Sequence, residues 1–123
     1  MKITIRITAG LALVLTTALL AVGLGAASAA TAPVKVTVLA GEFYFKLSTV
    51  SIPKPETVQF TVINQGTIAH DFEIQALNKV TKLLQPKQKQ VLTVTFTKAG
   101  SYYYLCTVPR HAQEGMAGNF TVK

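Results

Sequence analysis

Polar and apolar residues alternate with a period of two over much of the chain beyond residue 33. Residues 34–38, 58–62 and 92–97 each place apolar side chains on one face and Lys, Gln or Thr on the other. Such alternation predicts strands with one buried face. Turn-forming residues separate these stretches, at 51–56, 64–66, 85–87 and 98–100. Short strands at this spacing predict an all-β domain, either an antiparallel sandwich or a barrel. Residues 77–84 fit a turn of helix or a strand.

The first thirty residues have a different pattern. Lys2 and Arg6 precede an uncharged run from residue 7 to 34, in which small residues follow an apolar centre. A basic start, an apolar middle and a small-residue exit are typical of a secretory signal, here with cleavage after Ala29. The alternative is an uncleaved anchor, because the run is long enough to span a bilayer. The sequence therefore predicts a signal at 1–29 and a single domain at 30–123.

Without residues 1–29, ten basic residues remain against five acidic ones, a net charge of about +5. A basic exported domain could meet nucleic acid, anionic lipid or an acidic protein. The lysines are scattered, however, and only Lys79, Lys82, Lys87 and Lys89 lie close together. A solvated face that keeps the domain soluble explains this charge equally well, and no nucleic-acid partner is expected.

The single cysteine, Cys106, cannot form an internal disulfide, although small exported domains often carry them. A free thiol in an oxidising compartment is reactive unless something holds it, and a bound metal would do so. Taken alone, Cys106 also fits a small buried hydrophobic residue. A thiol nucleophile paired with a histidine is another alternative.

Three further residues have metal-binding chemistry. His70 alternates with Phe72 and Ile74 and should point with them into the core. Taken alone, it is more simply a buried histidine with one hydrogen bond. Pro109 ends an aromatic strand, and a loop with His111 and Met116 follows. Individually, these two fit a surface loop residue and a core filler.

Together, His70, Cys106, His111 and Met116 offer two imidazoles, a thiolate and a thioether. This set suits a trigonal His₂Cys copper site with a long axial methionine. The soft sulfur ligands favour Cu(I), and imidazole accepts both oxidation states. Zinc is the main rival, but methionine is a poor zinc ligand. A thiol nucleophile explains neither Met116 nor the buried His70.

The spacing Cys106-x₄-His111-x₄-Met116, between an aromatic strand and residues 118–122, resembles the ligand loop of the cupredoxins, the small type 1 blue copper proteins. It is most similar to the rusticyanin, sulfocyanin and auracyanin type. Residues 42–45 and 64–72 are similar to other blocks of the family. The resemblance implies an antiparallel Greek-key β-sandwich of about 7–8 strands. It also implies one copper ion, with His70 and His111 binding through ring nitrogens, Cys106 as thiolate and Met116 axially.

Two positions depart from the family's pattern. Asp71 lies beside the first histidine, where the family often has an asparagine that ties the ligand loops together. Arg110 precedes the second histidine, where glycine is common. If this position requires a positive φ, arginine adds strain.

The resemblance implies a one-electron carrier without a catalytic centre of its own, because one cysteine and two histidines leave no ligands for a second copper. Copper handling, meaning storage, delivery or resistance, is the alternative.

We expect a monomer that is secreted or periplasmic, or tethered on the outer face of the membrane if the N-terminal segment is uncleaved. Its partners should be redox proteins with an acidic docking face. They should dock beside Arg110 at the solvent edge of His111, within a rim of Pro109, Ala112 and Met116.

Overall fold

The computed structural model describes residues 30–123 and the isolated positions 10, 18, 23 and 25. Apart from those four positions, the predicted signal at 1–29 lies outside the described residues, and its cleavage stays a prediction. In the part of the chain that is described, no helix has the length and hydropathy needed to cross a membrane. Residues Thr31–Lys123 form one compact unit.

The described range contains nine strands and a short 3₁₀ turn, Gln75–Leu77. In chain order the strands are β1 Val34–Gly41, β2 Tyr44–Leu47, β3 Ser51–Ile52, β4 Thr57–Asn64, β5 Glu73–Ile74, β6 Lys79–Val80, β7 Lys89–Thr95, β8 Gly100–Leu105 and β9 Ala117–Val122.

These strands form two sheets, in the orders β2-β1-β4-β7 and β3-β9-β8-β5-β6. The chain crosses repeatedly from one sheet to the other, so neighbours within a sheet are often distant in sequence. Two of these pairs are parallel, β1 with β4 and β3 with β9, and the remaining pairs are antiparallel. Alternation alone does not reveal strand direction, because both kinds of half-buried strand have a period of two.

The predicted all-β sandwich is confirmed. It has nine strands rather than seven or eight, because β3, β5 and β6 contain only two residues each and are too short to show an alternating pattern. The strand β3 lies inside the predicted turn at 51–56. Residues 77–84 contain the end of the 3₁₀ turn and β6, so both readings of that segment are partly right.

The core lies between the two sheets. Strand β4 buries every second residue, and its Phe60 contacts the rings of Phe72, Phe96 and Phe120 at centroid distances of 5.2–6.3 Å. These edge-on and tilted contacts are the arrangements that aromatic rings prefer. A smaller buried cluster contains Ala40, Cys106 and Met116. The predicted site therefore lies against a tightly packed interior.

Candidate metal centre

The four predicted ligands come from two segments of the chain. His70 precedes β5 and forms an isolated bridge with Leu84, rather than lying in a continuous strand as the alternation suggests. Cys106 directly follows β8, Met116 directly precedes β9, and His111 lies in the turn between them. One ligand is thus held by a segment that pairs across the sheet, and three belong to one loop.

The structure brings three of the four ligands together. One donor atom each from His70, Cys106 and His111 lies within 4.8 Å of the other two. The two Nδ1 atoms are 3.2 Å apart, and Cys106 Sγ lies 3.6 Å from His111 Nδ1. Metal bonds of about 2.0 Å to nitrogen and about 2.3 Å to sulfur separate such donors by about 3.3 and 3.5 Å at tetrahedral angles, and by about 3.5 and 3.7 Å at trigonal angles. The observed spacing fits one small metal ion bound by all three residues.

Met116 is fully buried and packs beside Cys106 in the small cluster with Ala40. Its backbone closes the loop, since the Met116 carbonyl accepts a hydrogen bond from Cys106 N–H at 3.0 Å and its N–H donates to the His111 carbonyl at 3.1 Å. These bonds extend the β8–β9 pairing to the base of the loop. The thioether is thereby held on the same side of the domain as the thiolate.

Backbone bonds also shape the tip of the loop. The N–H of His111 donates to the Val108 carbonyl, and that of Glu114 donates to both His111 and Arg110. Arg110 has a φ of 70°, in the left-handed region that glycine tolerates best. A positive φ was the condition under which arginine would add strain here. The position has one, so Arg110 occupies a place whose backbone favours glycine.

Asp71 joins the two ligand-bearing segments. Its carboxylate accepts hydrogen bonds from the Thr107 N–H, at 2.6 Å, and from the Thr107 hydroxyl. The aspartate is 7% exposed and Thr107 is exposed, so both bonds are partly shielded from water. It makes the link between ligand loops that the resemblance implies for this position, with a carboxylate that accepts both bonds.

Burial shifts the pKa values of two of the donors, Cys106 and His70. It raises the pKa of the Cys106 thiol, although hydrogen bonds from the backbone of Asp71 and Val108 oppose the shift. Burial also lowers the pKa of His70, although a hydrogen bond with Glu42 opposes that shift. Neutral imidazole is the form that binds metal, whereas the thiol must lose its proton when a metal binds.

Two important residues near His70 are not singled out by the sequence, although they lie within the blocks 42–45 and 64–72. Glu42 follows β1, and its Oε1 lies 3.4 Å from His70 Nε2. Asn64 ends β4 fully buried, and its amide donates to the carbonyls of Ile68 and Leu84 at 2.8 and 2.9 Å. Neither the turn at Asn64 nor the block that begins at Glu42 indicates a contact with His70. Their roles depend on contacts across the fold.

His111 is the most exposed of the four predicted ligands at 8%, against 1% or less for the others, and it is nevertheless buried. The ring of Phe43 packs edge-on against it, at a centroid distance of 4.9 Å. A surface hollow beside it is lined by Phe43, Pro109, Arg110, His111 and Glu114. Of the expected rim residues, only Pro109 lines the hollow; Ala112 is not part of its lining, and Met116 is fully buried. Phe43 takes part instead, and the hollow carries an acidic residue as well as Arg110.

Comparison with known proteins agrees with this architecture. The family model of the cupredoxin-like domain matches residues 10–122. The chain is 26% identical to the copper-resistant cuproprotein CopI of Pseudomonas aeruginosa, over 79% of this chain and 80% of that protein. It is 27% identical to the CopI protein of Rubrivivax gelatinosus, over 70% of this chain and 64% of that one.

Among solved structures, auracyanin of Roseiflexus castenholzii superposes with a TM-score of 0.64. The two chains are 22% identical, over 76% of this chain and 99% of auracyanin, so this likeness concerns the fold. Family membership and the donor set together indicate copper as the cofactor. The chain belongs to the cupredoxin-like domain family.

Proposed function

We propose that this protein is a one-electron carrier that binds a single copper ion through His70, Cys106, His111 and Met116. The histidines would bind through Nδ1, Cys106 as thiolate, and Met116 as the weak axial ligand. Copper bound in this way supplies a one-electron couple between Cu(I) and Cu(II). The protein's part is to hold the donors in a geometry that suits both oxidation states, so that little has to move when an electron arrives.

The observation that carries this proposal is the convergence of three buried donors. Their separations of 3.2 and 3.6 Å match the donor spacing of a single bound metal ion. The loop hydrogen bonds and the Asp71–Thr107 link hold the two segments together. A site whose donors are held by the fold in this way favours retention of copper and a small reorganisation on electron transfer.

A visible spectrum of the copper-loaded, oxidised protein tests the site. Charge transfer from the Cys106 thiolate should give an intense colour, and voltammetry should show a reversible one-electron wave. The matched control is Cys106→Ser, which keeps nearly the same shape but removes the thiolate and should lose the colour. A colourless wild type that prefers zinc would contradict the proposal.

Copper handling is a second candidate, favoured by one observation: two relatives are copper-resistant cuproproteins. The two functions differ in whether the protein passes on electrons or copper ions. A carrier should exchange electrons with small redox reagents much faster than it yields copper to a chelator. A handling protein should release Cu(I) readily, and chelator competition alongside stopped-flow reduction separates the two.

We also propose that the chain has no catalytic centre of its own, since its two histidines and one cysteine all lie in this one site. The N-terminal pattern supports export, either as a secreted or periplasmic protein or as one tethered on the outer face of the membrane. The expected partners are redox proteins that dock at the hollow beside His111, with the domain acting as a monomer.

A further inference from the structure

The carboxylate of Glu42 lies in a cradle formed by the segment that leads to His70. Its Oε1 accepts hydrogen bonds from the Thr67 N–H at 2.6 Å and the Ile68 N–H at 2.9 Å, with the Thr67 hydroxyl at 3.3 Å. Gly66 leaves the space for it, because a Cβ at that position would lie 2.5 Å from the same oxygen. The carboxylate is therefore held at a defined place although its side chain is 30% exposed.

The charge on this carboxylate is persistent. The hydrogen bond from Ile68, followed by that from Thr67, lowers the pKa of Glu42 from 4.5 to about 2. The contact of 3.4 Å between Glu42 Oε1 and His70 Nε2 therefore sets a charged acceptor against one nitrogen of the ring.

This contact determines which ring nitrogen of His70 carries the proton. A carboxylate can only accept, so the hydrogen must be on Nε2. The lone pair of Nδ1 then points towards His111 Nδ1, 3.2 Å away, which is where a shared metal ion would be bound. The Glu42 contact thus leaves His70 in the tautomer that a metal ligand needs.

We propose that Glu42 is a positioning residue for His70: its carboxylate fixes the tautomer and orientation of the ring and stabilises the oxidised centre. The inference rests on the proposed role of His70 as a copper ligand. A carboxylate that accepts the second ring N–H of a bound histidine makes that histidine a stronger donor. A stronger donor favours Cu(II) over Cu(I) and lowers the reduction potential.

The metal-free protein offers a test that is independent of copper. The sequence has only two histidines, so ¹⁵N NMR of the rings is simple to interpret. Wild type should show His70 with its proton on Nε2. Gly66→Ala should move the flexible carboxylate out of its cradle and mix the two tautomers, while the charge remains. A wild-type His70 protonated on Nδ1, or an unchanged tautomer in Gly66→Ala, would overturn the inference.

The copper-loaded protein tests the electronic effect. Glu42→Gln keeps an oxygen acceptor but removes the charge. Loss of such a partner typically weakens metal binding about tenfold or more. If that loss falls on Cu(II) alone, a tenfold change raises the potential of a one-electron couple by about 59 mV. The matched control is Glu73→Gln, which removes the same charge on β5, three residues from His70.

The results distinguish this inference from the proposed function. A rise in potential for Glu42→Gln and Gly66→Ala, but not for Glu73→Gln, supports a positioning role. Equal potentials in Glu42→Gln and the control overturn it, even if wild type has the full blue-copper spectrum. If wild type gives no such spectrum, the proposed function fails, and the tautomer experiment still decides whether Glu42 orients the ring.

Discussion

The two histidines of the site are held in opposite ways. His70 exchanges backbone hydrogen bonds with Leu84 at 2.8 and 3.0 Å, and its outer nitrogen faces Glu42. His111 belongs to a loop whose backbone bonds are internal to residues 106–116. Across the described residues, no carboxylate lies within hydrogen-bonding distance of its ring. One histidine is fixed by distant parts of the fold, and the other by its own loop.

This difference indicates a division of roles. The His70 side consists of His70, Glu42 and Asn64. It is joined to the end of β1, the end of β4 and the segment at Leu84, so it should keep its geometry without metal. The loop side, residues 106–116, meets the surface hollow and carries the backbone strain at Arg110. Apart from the ligands themselves, we expect substitutions on the first side to change the centre, and substitutions on the second to change access to it.

The largest expected effect comes from removing each ring in turn. His70→Gly and His111→Gly should both lose the thiolate-to-copper colour. Imidazole added from solution should restore the colour in His111→Gly, because that ring borders the surface hollow. It should fail to do so in His70→Gly, whose ring is 1% exposed. Absorbance titrations with imidazole measure the difference.

Thermal melting of both metal-free glycine variants is the control, since a rescue can be compared only between folded proteins. Equal restoration of colour in the two variants would contradict the contrast between the His70 side and the loop side. Restoration of colour in His70→Gly alone would mean that the His70 position is the more accessible of the two.

The sequence predicts the loop side better than the His70 side. Cys106, His111 and Met116 are visible because they lie within eleven consecutive residues and have diagnostic chemistry. His70 is found through alternation and the family's pattern, although it lies in a bridge rather than a strand. Glu42 lies 28 positions from His70, and only the pairing of β1 with β4 brings their segments together. Local patterns cannot reveal contacts that depend on sheet order, and for the same reason the parallel strand pairs were not predicted.

The next effect concerns the link between the two sides. Asp71→Ala leaves the Thr107 N–H without its acceptor, so the metal-free protein should lose about 3 kcal/mol of unfolding free energy. Asp71→Asn is the control, because its amide can accept from the N–H and donate to the hydroxyl, and it should cost about 1 kcal/mol. Urea denaturation measures both. If the two variants lose equal stability, the charge of Asp71 matters more than its hydrogen bonds.

A smaller effect is expected from the strain on the loop side. Arg110→Gly should stabilise the protein by up to about 1 kcal/mol, because the cost of a left-handed non-glycine residue exceeds glycine's extra entropy in the unfolded chain. Arg110→Ala removes the same charge but keeps the Cβ, and should give no gain. Lys87→Gly, at a φ of 69° outside the loop, should give a similar gain. If Arg110→Ala stabilises as much as Arg110→Gly, charge rather than backbone strain is the cause.

The smallest effect concerns charge at the entrance to the loop side. Arg110 and Glu114 both line the hollow, so their charges partly cancel, and the domain's net charge of about +5 supplies most of the attraction for anions. Electron transfer with an anionic reagent such as hexacyanoferrate should therefore slow as salt rises, because exposed charges are screened over about 8 Å at physiological ionic strength. Arg110→Glu should slow the reaction further at low salt, and Glu114→Gln should speed it.

Stopped-flow rates across a salt series measure these changes, and a cationic ruthenium ammine complex supplies the matched comparison. With that reagent, both substitutions should act in the opposite direction, and the visible spectrum should stay the same throughout. A change of the same sign with both reagents would mean that Arg110 acts on the copper centre or the loop shape rather than on docking. Rates that respond to neither substitution would show that the contact at His111 is apolar, with Phe43 and Pro109 as the surface that a partner meets. That result would leave the copper assignment standing and would remove the expectation of an acidic partner.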